Sequence, residues 1–310
     1  MRMKNTRLSC RDGKSLIGII WIPDNEPKAI LQITHGMTEH IGRYTHLAEE
    51  LTAKGIIVAG FDLRGHGTNA EDPLCASFGE NGWEQSIEDM HIFYEYLKQE
   101  FSGYPYFMLG FSLGSFLLRE YLCTYSDGIA GAAILGTGYQ PKAILSIMTA
   151  IVKTQIAKNG FDQTTPLVQK LSFGTYNQKF MPNRTSADWL CADETELDKY
   201  LADPLCCEHI SSGLFWQLLN AMKRTGERTA YLNWDKNIPV LLLSGKDDPV
   251  GDFGKGVEKV DCTMKRMGIK DVTMQLFPGA RHDILHEECS GCAKQVREFL
   301  GDWILEKSKR

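Results

Sequence analysis

The amino-acid sequence predicts an α/β fold, a mostly parallel central sheet flanked by helices on both faces. Short, nearly continuous apolar runs recur along the chain, as expected of strands buried on both faces. Longer segments with apolar residues at helical spacing separate them, and this alternation favours parallel strands joined by helical crossovers. One region breaks the rhythm: between Gly138 and about Asn237 no convincing strand occurs.

Strands are expected at residues 16–22, 29–33, 56–61, 106–109, 129–135, 240–243 and 272–277. Those at 16–22 and 272–277 are less distinctive and are expected toward the sheet edges. The segment 43–54 places Tyr44, Leu47, Ala48 and Leu51 on one helical face, and 83–100 repeats Ile87, Met90, Phe93, Tyr94 and Leu97. Residues 114–124 are apolar over most of their surface, which predicts a central helix. Helices at 255–267 and 292–307 close the chain. In the region without strands, helices are expected at 142–158, 166–171, 186–191, 195–202 and 211–225. Gly160, Pro182 and Asp203-Pro204 punctuate them. Asp193 with Glu196 has the form of a capping box. The simplest arrangement is a core of residues 1–138 and 238–310, with a helical cap, 139–237, inserted over one edge.

Composition narrows the function. The chain has 310 residues, 43% of them hydrophobic, which is ample material for a large core. Its charge is −5, from 34 basic and 39 acidic residues. With no Lys/Arg run, that balance argues against nucleic acid as a partner. No stretch approaches the ~20 uninterrupted apolar residues of a membrane span, so no integral membrane segment is expected. The polar start of the chain shows no secretory signal, and a cytoplasmic location is expected. Nine scattered cysteines, an odd number, then read as reduced thiols. Cys289 and Cys292 have C-x-x-C spacing with His286 just before them, but no second half-site accompanies them, so no metal is expected.

The sharpest chemical signal is Gly110-Phe111-Ser112-Leu113-Gly114, which joins an apolar run to a helical segment. A serine in a tight strand-to-helix turn is lifted above the sheet beside the helix N-terminus. Glycines two positions either side remove the clashes that such a turn would create. A serine hydroxyl needs a base to attack. The partners should follow as acid, then histidine, each after a later strand. Ser244-Gly245-Lys246-Asp247-Asp248 supplies the acid and Gly279-Ala280-Arg281-His282 the histidine. Asp248 is preferred over Asp247, because Gly245-x-x-Asp resembles a family spacing, and His282 over His286, which falls in the polar run that starts the last helix. Thr34-His35-Gly36-Met37 follows a strand and offers the backbone N–H of Met37 as one oxyanion donor, with that of Leu113 as the other. Asp62-Leu63-Arg64-Gly65-His66-Gly67 reads as a structural turn near the site.

His35-Gly36-x-x-Glu39-His40 with Gly42-Arg43-Tyr44, Asp62-x-Arg64-Gly65-His66-Gly67, Gly110-x-Ser112-x-Gly114, Gly245-x-x-Asp248 and Gly279-Ala280-x-His282 stand in one order and spacing. In these motifs the chain resembles the serine hydrolases of the α/β-hydrolase fold, and within them the monoacylglycerol lipase and lysophospholipase group, also labelled serine aminopeptidase-like. The likeness covers about 16–138 and 238–306 and is weaker through the cap. Residues after His282 depart from the animal monoacylglycerol lipases. The resemblance implies a helical cap inserted after the sixth strand. It also implies ester hydrolysis through acyl-Ser112, without metal or cofactor.

The expected partner is a small-molecule ester or lipid of the monoacylglycerol or lysophospholipid kind. Ile151 belongs to a wide apolar stripe over 143–156 and Leu218 to a second over 214–222. These stripes are expected to line an acyl pocket and to touch lipid surfaces transiently, or to pack as an ordinary cap. Glu39 and Arg43 either contact a glycerol-like headgroup or pair with neighbours, and His286 lines the mouth. The rivals are a short-chain esterase, a thioesterase, and an aminopeptidase holding its substrate amine through acids such as Glu194, Glu196 and Asp198. From another class, the rival is a non-catalytic binding protein on the same fold.

Overall fold

The computed structural model describes residues 1–309. Its strands, in chain order, are β1 (Arg2–Ser9), β2 (Ser15–Ile22), β3 (Ala29–Thr34), β4 (Ile56–Phe61), β5 (Cys75–Ala76), β6 (Tyr106–Phe111), β7 (Gly131–Leu135), β8 (His209–Ile210), β9 (Val240–Gly245) and β10 (Val272–Phe277). Eight form one sheet in the order β1-β2-β4-β3-β6-β7-β9-β10, and β5 pairs with β8 alone. The β1·β2 and β2·β4 pairs are antiparallel, and the large sheet is parallel from β4 to β10.

The helices are α1 (Thr45–Ala53), α2 (Gly82–Glu100), α3 (Leu113–Thr124), α4 (Lys142–Asn159), α5 (Pro166–Phe173), α6 (Glu194–Ala202), α7 (Ser212–Gly226), α8 (Lys255–Arg266) and α9 (Cys292–Lys307). The strand period of two sorts the core into two layers. Along β6, Tyr106 and Met108 join the layer holding Phe93 of α2 and Leu117 of α3. Phe107, Leu109 and Phe111 join Leu47 and Leu51 of α1 and Val296 and Leu300 of α9 on the other face. Strands β3, β4, β6, β7 and β9 are wholly buried, which explains their continuous apolar runs.

Two departures from the sequence reading have clear causes. The polar segment Arg2–Ser9 forms the edge strand β1, paired with β2 along its length. Its side chains are mostly exposed, so it carries no apolar signature, and charge on an edge discourages further pairing. Hence β2 lies inside the sheet, while β10 is an edge as expected. With β1 counted, β7 is the sixth strand of the large sheet, and α4 to α7 follow it.

The expected helix at 186–191 is a series of turns. Asp188 draws the backbone aside by accepting from the Arg184 N–H (2.6 Å) and the Thr185 N–H (3.0 Å). The capping box at Asp193 is half formed. Its carboxylate accepts from the Thr195 and Glu196 N–H groups, while Glu196 pairs with Lys199 instead of reaching back. Among the described residues no helix is long and apolar enough to cross a membrane. All nine cysteines are unbridged.

Candidate active site

Ser112 stands where buried β6 turns into α3. Its backbone lies at φ +50° and ψ −115°, a strained conformation for a residue with a Cβ. The turn is tight enough that a Cβ on Gly110 would lie 2.3 Å from the Gly114 carbonyl oxygen, and one on Gly114 2.1 Å from that of Thr34. The surroundings hold the strain. The Ser112 N–H donates to Leu135 O (2.9 Å), and the Ser115 hydroxyl donates to Ser112 O (2.6 Å).

His282 arrives on the loop after β10. Its Nε2 lies 2.9 Å from Ser112 Oγ and its Nδ1 2.9 Å from Asp248 Oδ2. An ionised carboxylate only accepts, so Nδ1 carries the proton and Nε2 offers its lone pair to the serine hydroxyl. Asp248 follows β9 and is itself fixed. Its Oδ1 accepts from the Val250 N–H (2.8 Å), and its Oδ2 also accepts from the Ser244 hydroxyl (3.2 Å). Gly245 lets the two loops touch, since a Cβ there would lie 2.0 Å from Arg281 O. Asp247 turns away and pairs with Lys179 at 2.6 Å. Burial opposes protonation of His282 most strongly, but the charge and hydrogen bond of Asp248, with the charges of Asp283 and Glu39, together outweigh it, so the imidazole titrates above the ordinary 6.5.

The loop after β3 lies beside this elbow because Thr34 is in register with Gly110. His35 locks its start. Its Nδ1–H donates to Gly36 O (2.7 Å), its Nε2 accepts from the Leu63 N–H (2.9 Å), and burial lowers its pKa, all consistent with a neutral ring. Neither the Met37 N–H nor the Leu113 N–H finds an acceptor among the described residues. Leu113 directly follows the serine, and Met37 follows Gly36, where a Cβ would lie 3.0 Å from the ring of Phe111, the residue before the serine. The Asp62–Gly67 turn supports the far side, where Asp62 accepts from the Ile41 N–H at 2.8 Å.

The other sequence candidates are placed differently. Glu39, Arg43 and His286 are bound to one another and to Asp283. The Glu39 carboxylate is buried and already accepts from the Gly36 N–H, the Tyr44 hydroxyl and Arg43, which places it among neighbours rather than at an open headgroup site. Leu218 packs in the larger core layer, and Ile151 is half-buried on α4. Glu194 and Asp198 face Arg184 on the surface.

Some residues at the site carried no sequence signal. The Trp189 ring lies 5.3 Å from that of His282, with Phe111 on the ring's other contact at 5.0 Å. Trp189 reaches His282 because Arg281 donates to the carbonyls of Asp188 (2.5 Å) and Cys191 (3.2 Å). The pairing is between segments 90 residues apart in sequence and has no local pattern. Asp283 was visible only as an acid next to the histidine.

One cluster, His40, Asp203 and Cys206, brings metal-ligating atoms within 4.8 Å of one another. Its bonding opposes a metal. His40 Nδ1 accepts from the Gly42 N–H (3.2 Å), so Nε2 holds the proton it donates to Asp203 (2.9 Å) and would have to lose it to ligate. Burial also pushes the Cys206 thiol well up, away from thiolate.

Comparison with known proteins gives the family and the fold. A family model described as serine aminopeptidase, S33, matches residues 25–289. The monoglyceride lipase of Homo sapiens is 26% identical over 300 residues, which covers 96% of this chain and 89% of the relative. A monoglyceride lipase homolog from Monkeypox virus is 26% identical over 294 residues, covering 93% and 94%. Among solved structures, a highly thermostable carboxyl esterase from Bacillus coagulans in complex with glycerol superposes with a TM-score of 0.90 at 25% identity, covering 99% of each chain.

Proposed function

The chain belongs to the serine aminopeptidase S33 family of α/β-hydrolase-fold serine hydrolases, and on that premise we propose that it cleaves monoacylglycerol- or lysophospholipid-like esters through an acyl-Ser112 intermediate. The observation that carries the hydrolytic reading is the bonded chain Ser112 Oγ, His282, Asp248, at 2.9 Å in each link. It stands beside the two unengaged amides of Met37 and Leu113.

In the first step Ser112 Oγ attacks the ester carbonyl carbon while its proton passes to His282 Nε2. Asp248 keeps the imidazole oriented and stabilises the imidazolium. The carbonyl oxygen, now negative, takes hydrogen bonds from the Met37 and Leu113 N–H groups, which gain most where charge develops. Collapse expels the alcohol oxygen, which receives the proton from His282. Water then repeats the sequence on the acyl-serine, and the fatty acid leaves.

The substrate class draws support from the relatives, which are named monoglyceride lipases and match over nearly their whole length. In this reading residues 139–237 form a cap, and α4 and α7 furnish an apolar surface for the acyl chain. On α4 only Leu145, Thr149 and Val152 are buried, while Ile144 is 47% and Ile147 63% exposed. That outer face is available for transient contact with lipid aggregates.

The test is kcat/KM across an ester series from acetyl to palmitoyl, with Ser112→Ala as the blank. A maximum at medium or long chains is the expected result. Activity confined to acetyl or propionyl esters would overturn the lipid assignment in favour of a short-chain esterase. No labelling of Ser112 by a fluorophosphonate in the folded protein would overturn the hydrolytic assignment itself.

A further inference from the structure

We propose that Asp283 is a positioning residue which, through Arg43 and Glu39, ties the loop carrying His282 to the loop carrying the Met37 N–H. The inference rests on the serine-hydrolase reading above.

The connection is a continuous run of bonds between two backbone positions. At one end, Asp283 directly follows His282 and its own N–H donates to Leu190 O at 2.7 Å. Its Oδ2 accepts from Arg43 Nη2 at 2.8 Å, and the other Arg43 nitrogen pairs with Glu39 Oε2. At the far end, Glu39 Oε1 accepts from the Gly36 N–H (2.5 Å) and from the Tyr44 hydroxyl (2.9 Å). Gly36 directly precedes Met37. A Cβ on Gly36 would lie 2.7 Å from Glu39 Oε1, so the carboxylate and this amide are in direct apposition.

The remaining groups close the circuit. Asp283 Oδ1 faces His286 Nδ1 at 2.7 Å, and His286 Nε2 faces Arg43 O at 2.9 Å, so both ring nitrogens point at oxygen acceptors. The Tyr200 ring covers the guanidinium at 5.0 Å. Glu39 and Asp283 side chains are each 2% exposed, and Arg43 11%. Charged hydrogen bonds excluded from water are strong and geometrically specific.

This linkage does what the sheet does not. Strands β6, β7 and β9 separate β3 from β10, so no ladder sets the oxyanion loop directly against the histidine loop. Yet both must act on one carbonyl group, and small misplacements at such a site are costly in rate. The circuit spans the two loops through the side chains of Asp283, Arg43 and Glu39.

The test compares Asp283→Asn, Glu39→Gln and the double variant, with Tyr44→Phe as a milder fourth. Active sites are counted by exhaustive fluorophosphonate labelling, and kcat, KM and the affinity of an alkyl boronic acid, which mimics the tetrahedral oxyanion, are measured. Each single variant is expected to lower kcat per active site by about tenfold to a hundredfold, less than or near the cost of deleting a donor. KM is expected to stay within about twofold, and boronate affinity to fall in parallel. The double variant is expected to be little worse than the poorer single, as for residues acting in series. Unchanged kcat per labelled site, even with lowered Tm, would overturn the proposal, as would a full additive loss. A rise in KM at constant kcat would also overturn it, since that marks a headgroup contact. Turnover surviving in Ser112→Ala would instead overturn the serine-hydrolase reading.

Discussion

The two parts of the molecule that meet over Ser112 are held by different kinds of bond. Ser112, Asp248 and the Met37 amide stand just beyond β6, β9 and β3, inside one parallel ladder whose registers fix their spacing. Residues 139–237, the proposed cap, share with the rest only the two-residue β5·β8 ladder. Side chains fasten them instead. Arg119 donates to Thr225 O (2.7 Å), Gln217 to Gly79 O (2.9 Å) and Arg281 to Asp188 O (2.5 Å), while the Tyr200 and Thr38 hydroxyls meet at 2.8 Å. Helix α4 is the loosest piece, with three of its 18 residues buried. Backbone ladders tolerate side-chain change and side-chain fastenings do not, so substitutions in the two parts should act on different observables.

The largest effect belongs to the ladder-held residues. Ser112→Ala is expected to remove turnover by roughly 10⁶-fold in kcat while leaving Tm nearly unchanged. Asp248→Asn should cost about 10⁴-fold, as the imidazole then loses its fixed tautomer. Asp247→Asn, which breaks only a half-exposed pair with Lys179, should stay within about twofold in steady-state assays.

The same pair of residues predicts a pH profile. The base must be neutral to take the serine proton, so kcat/KM falls as pH drops through the His282 pKa. That pKa is raised, so the acid limb should lie above pH 6.5. In Asp248→Asn the charge that raises it is gone, and the limb should move to lower pH. An acid limb that does not move in Asp248→Asn would contradict the coupling of Asp248 to the base.

For residues 139–237 and the side chains that fasten them, the effects should be smaller and of another kind. Ile151→Asn is expected to lower kcat/KM for palmitoyl esters about tenfold while sparing acetyl esters, because apolar pocket contacts discriminate by a few methylenes' worth of energy. Equal loss on both would mean that α4 does not line the acyl site. Arg281→Met strips donors from two backbone carbonyls under Trp189 and should cost about 1–3 kcal/mol in stability by denaturant unfolding.

The same contrast governs what could be read from the sequence. Ser112, Asp248 and His282 were legible because each follows an apolar strand, and strand, turn and helix have local signatures. The helices expected at 166–171 and 211–225 stand as α5 and α7, the second legible from its apolar stripe over 214–222. Residues 186–191 were misread as helix because their backbone bonds are made to Asn177, Arg281 and Asp283, far away in sequence. Strand β1 was invisible because an exposed edge needs no apolar pattern. Glu39 and Arg43 stood open between a headgroup contact and pairing with neighbours, since nothing local reveals that Asp283 lies opposite Arg43.

The most direct measurement is the intact mass of the protein quenched during turnover of a p-nitrophenyl decanoate ester, followed by peptide mapping. An acyl adduct of one decanoyl group on Ser112, absent from Ser112→Ala and accumulating in a burst with p-nitrophenol, is the expected result. Turnover without any adduct on Ser112, or an adduct on another residue, would contradict acyl transfer through this serine.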